Sequence, residues 1–268
     1  MKITRITTQK RSKHRYNIFI DDGHGEKFGF SVDEDVLIQY NLRKDLELSE
    51  LMIEKLLRED IFQKSYGEVI GYLSYRMRTK KEIIDYLRKK EVDSEQIEKI
   101  IKKLTSEQLI DDQEFANSFV RSRIQTTTKG PNLVKQELQV KGITSSIADE
   151  AVRQYDYSIQ YKKAKKIAEK RLAKSSRHSI NRQQQQLHAT LTRNGFTQEV
   201  IQDVLTNTQQ KYENNEVEAI YYQGDKLLQK HSRKLSGYEL KNKLKESLYR
   251  QGFQIESIND YLDDKSIL

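Results

Sequence analysis

The sequence predicts a mainly α-helical protein: tandem three-helix repeats in an elongated curved array, behind a small N-terminal antiparallel β-containing domain. Two observations carry this prediction. A ten-residue phrase recurs four times, at 83–92, 134–143, 187–196 and 244–253, always with an aliphatic residue first, leucine fifth and an apolar residue last. Residues 2–32 instead alternate apolar and polar positions in the period of a strand. A compact globule of 268 residues has a radius of gyration of roughly 18 Å. Solution scattering is expected to return a larger value, and a value near 18 Å would exclude the array.

Within the N-terminal domain, expected over 1–64, Ile3 and Ile6 open a first strand. Tyr16, Ile18 and Ile20 then face one way with Asn17 and Phe19 the other, and Asp21-Asp22-Gly23-His24-Gly25 turns the chain into Phe28-Gly29-Phe30. A short helix over 33–40 covers this sheet together with a longer one from Ser49, where Leu51, Ile53, Leu56, Leu57, Ile61 and Phe62 recur at helical spacing.

The first repeat, 65–126, holds three helix starts: Thr79 with Glu82 forms a capping box, and Asp93 with Gln96 and Asp111 with Glu114 repeat the signal. Lys129-Gly130-Pro131 breaks the chain and opens the second repeat, 127–177. Proline is tolerated in a first helical turn, where its missing N–H has no partner to lose. The third helix of this repeat buries Tyr161, Ala164, Ile167, Ala168 and Leu172. The third repeat, 178–234, contains a polar run at 183–186, expected to be solvated, and a long third helix through Ala219, Tyr222 and Leu227. A fourth repeat, 235–268, is left open as to completeness.

The recurring phrase is a helix ending in a hinge. A glycine just past a helix end takes the left-handed conformation that other residues resist, and the apolar residue after it packs back on the leucine one turn earlier. The hinge positions are Glu91, Gly142, Gly195 and Gly252, and spacings of 51, 53 and 57 residues leave room for a third helix in each unit. A second helix follows each hinge, marked by Ile97, Ile100 and Ile101, then Ala148, Ala151 and Val152, Ile201, Val204 and Leu205, and Ile258, Tyr261 and Leu262. Glu91 departs from the glycine pattern and puts the geometry of the first hinge in question.

Composition narrows the function. With 33% charged residues, 35% hydrophobic residues and one proline, the chain suits long helices with thin cores shared between neighbours. The absence of cysteine excludes disulfides and thiolate metal sites. Neither a signal peptide nor a membrane span is legible, so a cytoplasmic protein without membrane contact is expected, and it is taken as a monomer. A net charge of +8 and a pI near 9.3 favour a polyanionic partner.

The charge is concentrated. Residues 157–194 carry ten Lys or Arg against one acid, Glu169. Lys163, Lys166, Lys170 and Lys174 share one helical face, a layout suited to tracking phosphates, with Lys162 and Arg171 beside them. A solvated helix face is the plain alternative. Arg76, Arg78, Lys80 and Lys81 form a second cluster at a helix N-terminus, where backbone N–H groups also attract anions. The five histidines show no ligand spacing and no nucleotide-binding glycine fingerprint occurs, so no metal, no cofactor and no catalytic residue are expected. Asp111-Asp112 suggests a carboxylate pair, but helix capping explains both residues more simply. No motif that reads DNA sequence is present, and binding to single- and double-stranded DNA is expected to be nonspecific and salt-sensitive.

These residues resemble the RecX family of recombinase regulators. The resemblance rests on residues 73–83, Leu-Ser-Tyr-Arg-Met-Arg-Thr-Lys-Lys-Glu-Ile, on residues 109–116, and on Lys129-Gly130-Pro131 followed by residues 138–143. It is strongest over about 66–155, and the N-terminal sheet followed by Asn41-Leu42-Arg43-Lys44 is similar to the longer members. The resemblance implies tandem three-helix repeats that lodge in the groove of a RecA-type filament on DNA. It also implies that they modulate, chiefly inhibit, its ATPase, strand-exchange and coprotease activities in DNA repair and the SOS response. No enzymatic activity is implied. The fourth hinge exceeds the three-repeat core of the short members. A stand-alone DNA-binding or architectural protein and a pure protein-interaction scaffold are the competing readings. A requirement for a RecA-type partner separates the first reading from these two, and salt-sensitive DNA binding separates the two from each other.

Overall fold

Apolar alternation folds the start of the chain into a three-stranded antiparallel sheet, β1 (Lys2–Gln9), β2 (Ser12–Asp21) and β3 (Glu26–Asp33), in the order β1-β2-β3. The computed structural model describes residues 1–10, 12–172 and 177–266, with side chains for all of these but 172 and 209–215. Ile3 pairs with Ile20, Ile18 with Phe30 and Tyr16 with Val32, which sets one apolar face. Phe19 and Phe28 meet edge to face at 6.0 Å on the other. Gly29 is the extra residue of a bulge between these pairs, and a Cβ there would lie 2.9 Å from Ile20 Cγ1.

Two helices cover the apolar face: α1 (Glu34–Gln39), capped by Asp33, and α2 (Glu50–Ser74), whose cap Ser49 accepts from the Met52 N–H at 3.2 Å. Asp60 of α2 is buried and accepts from Arg15 Nη2 and from the Asp33 N–H, each at 2.7 Å, which joins the helix to β2 and β3. A buried carboxylate is tolerated because both contacts are hydrogen bonds. The expected domain boundary at 64/65 falls inside α2. Gly67 and Gly71 do not break it, and its later turns pass from the sheet into the first helical core.

Among the described residues ten further helices follow: α3 (Lys80–Lys89), α4 (Ser94–Ser106), α5 (Asp112–Thr126), α6 (Pro131–Val140), α7 (Ser145–Val152), α8 (Tyr157–Leu172), α9 (Ile180–Arg193), α10 (Gln198–His231), α11 (Gly237–Arg250) and α12 (Ile255–Asp264). The chain divides into two compact units, Met1–Phe115 with Lys141–Ile143, and Ala116–Val140 with Thr144–Leu268. In the first, Val69 of α2 packs with Ile83 and Leu87 of α3 and Ile97, Ile100 and Leu104 of α4. In the second, Ala164 and Ala168 of α8 pack with Leu187 and Leu191 of α9 and Val204 of α10. Ala219 and Ile220 of α10 do the same with α11 and α12.

For the first, third and fourth hinge pairs, the helix that precedes the pair therefore shares a core with it. This grouping is one helix out of phase with repeats drawn at 65–126, 127–177, 178–234 and 235–268. Spacing alone counts three helices per repeat but does not say which neighbour the connecting helix packs against.

Two expectations about the third repeat are corrected. The second and third helices of the third repeat are one helix, the 34-residue α10, and neither proline nor glycine interrupts 205–218. The run at 183–186 is not wholly solvated. Gln183 is buried on the face of Ile180, Leu187 and Leu191 and donates to His178 O at 2.6 Å, and Gln186 accepts from Arg171.

Candidate nucleic-acid and partner interface

All four hinge positions adopt the left-handed conformation: Glu91 at φ 61, Gly142 at 87, Gly195 at 83 and Gly252 at 86. The first ends in the expected hydrogen bonds, Val92 N–H to Leu87 O at 3.2 Å and Glu91 N–H to Arg88 O at 3.0 Å, and Gly195 and Gly252 repeat them. Gln108, at φ 56, ends α4 in the same way without a glycine, a hinge that the recurring phrase does not contain.

The three glycine hinges are also docking points. Thr79 Oγ1, at the start of α3, donates to Lys141 O at 2.8 Å. The Gly130 and Asn132 N–H groups, at the start of α6, donate to Asn194 O and Gly195 O at 2.7 and 2.9 Å. Ser179 Oγ and Asn181 Nδ2, at the start of α9, donate to Gln251 O and Gly252 O at 2.6 and 3.0 Å. A Cβ would lie 2.4 Å from Lys81 Cβ at Gly142 and 2.3 Å from the Leu133 N at Gly195. Among the described residues no helix start bonds to Lys90 O or Glu91 O, and Glu91 is exposed. A Cβ would meet the Leu133 backbone at Gly195, the Lys81 side chain at Gly142 and, less tightly, the Ser179 Oγ at 3.0 Å at Gly252, whereas no helix start docks on the first hinge among the described residues.

The first basic cluster is largely committed to this junction. Arg76 Nη2 donates to Glu82 Oε1 at 3.1 Å, and Lys141 Nζ reaches the same oxygen at 3.0 Å. Arg78 stacks 3.9 Å over the Tyr72 ring. The Lys80 N–H donates to Asp112 Oδ1 at 2.9 Å, and Lys81 packs across Gly142. The amides expected to attract an anion at the α3 N-terminus thus already face Thr79 and Asp112. Asp111 caps its own helix through the Gln113 and Glu114 N–H groups at 2.7 and 3.1 Å, whereas Asp112 serves α3.

Burial pushes the Glu82 carboxyl up, but the hydrogen bonds from Arg76, Lys141 and Thr79 outweigh it and hold its pKa below the ordinary 4.5. A depressed folded pKa contributes stability that is present above the unfolded value and is lost as pH falls through the folded one. Acid titration below pH 4.5 is therefore expected to loosen this junction, and Glu82→Gln to flatten that limb of the stability curve. Unfolding curves between pH 6 and pH 3 that are identical for both proteins would contradict it.

On α8 the lysines divide. Lys162, Lys166 and Lys170 are exposed, as is Lys165, and none has an ion pair among the described residues. Lys163 does not share their solvent face: its Nζ donates to Ile124 O and Thr127 O, which closes the end of α5. Burial, and then the charge of Lys166, holds its ammonium below the usual lysine range. Arg171 is likewise turned inward, donating to Thr190 Oγ1 at 2.6 Å and Gln186 Oε1 at 2.9 Å on α9. Lys174 lies outside the described residues. Helical spacing places these cations on adjacent faces but is silent about the carbonyls and amides that claim two of them. Among the described residues no cluster of His, Cys, Asp and Glu is arranged to hold a metal, and no helix is long and apolar enough to cross a membrane.

Helices paired across left-handed hinges, each glycine hinge receiving the start of an earlier helix, define a tandem three-helix-repeat protein with a sheet-containing head and a cationic α8. The matching family models follow the same grouping: the regulatory protein RecX N-terminal domain at 1–49, and the first, second and third RecX three-helix domains at 66–104, 111–152 and 158–205, the third matching again at 214–262. The chain belongs to the RecX family of regulatory proteins. It is 45% identical over 265 residues to regulatory protein RecX of Oceanobacillus iheyensis, covering 98% of this chain and 97% of that one. It is 40% identical over 264 residues to its counterpart in Bacillus cytotoxicus, with the same coverage. A crystal structure of regulatory protein RecX, 39% identical, superposes with a TM-score of 0.67 over 76% of this chain and 98% of that one. RecX from Lactobacillus salivarius, 34% identical, gives 0.54 over 56% and 97%.

Proposed function

We propose that this chain regulates a RecA-type recombinase by binding the recombinase filament on DNA and inhibiting its ATPase, strand-exchange and coprotease activities. Family membership supports the partner. The observation that carries the DNA contact is the row of exposed lysines Lys162, Lys166 and Lys170 on α8, which have no ion pair among the described residues. In this reading the chain is a cytoplasmic monomer, hydrolyses no ATP itself and meets single- and double-stranded DNA without sequence preference, through phosphates. Contact with protein subunits and phosphates together gives avidity that neither supplies separately.

Added to preformed filaments on single-stranded DNA, the protein is expected to lower ATP turnover at well below one copy per recombinase subunit. A competitor for DNA needs enough copies to coat the strand, and excess DNA abolishes its effect. Titration against filaments at two DNA concentrations decides. Inhibition that follows free DNA and never filament would replace the regulator by the stand-alone DNA-binding protein.

A further inference from the structure

The geometry points to a binding site for an unpaired nucleobase between the last turns of α2 and α3, lined by tyrosines. It rests on the DNA-binding reading above and adds a contact to the base where that reading has only phosphates. Tyr72 of α2 and Tyr86 of α3 lie stacked, ring centroids 4.4 Å apart and planes 7° from parallel. The Arg78 guanidinium lies 3.9 Å over Tyr72. Its Nε is buried without a hydrogen-bond partner, so the stack rather than an ion pair holds it. Beside this stack is a hollow of about 420 Å³, lined by Gly71, Tyr72, Tyr75 and Tyr86 together with Glu68 and Lys90. Tyr75 stands 85% exposed, and nothing lies within 4 Å of where a Cβ on Gly71 would be.

A scattered surface tyrosine needs no explanation. Arg78 and Tyr86 cover the two faces of Tyr72, so the stacked pair walls the hollow and the exposed Tyr75 beside it offers the free ring face for a flat aromatic ligand. Charge selects the class of ligand. Arg78 lies over Tyr72 with no acid paired to it among the described residues, and the exposed Lys89 adds a cation on the last turn of α3, whereas Glu68 offsets Lys90, so a base attached to phosphates is favoured over a neutral aromatic. Glu68 accepts from Tyr86 Oη at 3.5 Å and pairs with Lys90 at 3.2 Å, which places a hydrogen-bonding edge at the same hollow. In a duplex the faces of the bases are covered by their neighbours, so only an unpaired base can enter.

The test measures binding of the full-length protein to three ligands of equal length by fluorescence anisotropy: a thymidine oligomer, the same backbone with abasic sites, and a duplex. Tyr75→Ala is expected to weaken binding to the thymidine oligomer by about tenfold, the usual scale of one base–aromatic stack. It should leave the abasic strand and the duplex unchanged, and Tyr75→Phe should restore the loss. Tyr75 is so exposed that folding is not at risk. Equal losses on all three ligands, or none on the thymidine oligomer, would overturn the site while leaving phosphate binding intact. Wild-type protein that binds none of the three would remove both readings. Poly-glutamate that binds with the same dependence on Tyr75 would overturn the site in favour of an acidic peptide.

Discussion

Replacing Gly195 by valine is expected to cost the second unit about 3 kcal/mol, which is a large part of the stability of an ordinary domain. Two separate effects add. A side chain in the left-handed region is strained by about 1–2 kcal/mol, more for a β-branched one. The new Cβ would lie 2.3 Å from the Leu133 N, a backbone atom of α6 that no rotamer change can move aside. Forcing the two backbones apart adds the usual overpacking cost of about 1–3 kcal/mol and lengthens the hydrogen bonds from Gly130 and Asn132 to this hinge. Glu91→Gly is the internal control. It relieves a non-glycine residue at φ 61 where no backbone approaches, against the greater freedom of glycine in the unfolded chain, so its net effect is neutral or slightly stabilising. Urea unfolding followed by circular dichroism reads both. Equal stability of Gly195→Val and the wild type would mean that the hinge does not carry the docking.

Changing Lys162, Lys166 and Lys170 together to glutamate is expected to lower DNA affinity on the order of a hundredfold or more at low salt, because three cations that neutralise phosphates become three anions that repel them. The log–log dependence of affinity on salt should flatten by about 0.9 for each phosphate no longer neutralised on duplex and about 0.7 on single strands, whatever the sequence. Lys163 is left in place because its ammonium closes the end of α5, so its replacement would mix a folding defect into the measurement. An unchanged slope would make α8 an ordinary solvated helix. A flattened slope with filament inhibition intact would show that the recombinase is reached without these phosphate contacts.

Much of this protein is legible without coordinates, for a physical reason. Sheet alternation, capping boxes and the leucine that precedes each hinge are local rules, set within about ten residues, and the strands, the start of α4 and the ends of α3 and α9 follow them. The candidate site is less legible. Lys163 and Arg171 look like their exposed neighbours in a helical projection, yet both are drawn inward by hydrogen-bond acceptors on other helices. The tyrosine hollow is hidden because Tyr72, Tyr75 and Tyr86 belong to two helices separated by a break, and only packing brings the rings together.

The sequence by itself determined the class of fold, the four hinge positions and the excess of positive charge on one helix, because periodicity and left-handed caps depend on near neighbours along the chain. Tertiary structure decided three things: which helices share a core, why the first hinge can be Glu91 while Gly142 and Gly195 have no room for a side chain, and which of the described cations stay out of internal hydrogen bonds. Each depends on an approach between backbones or side chains far apart in sequence. The clearest is the 2.3 Å from a Cβ at position 195 to the Leu133 N, an approach that no local pattern encodes.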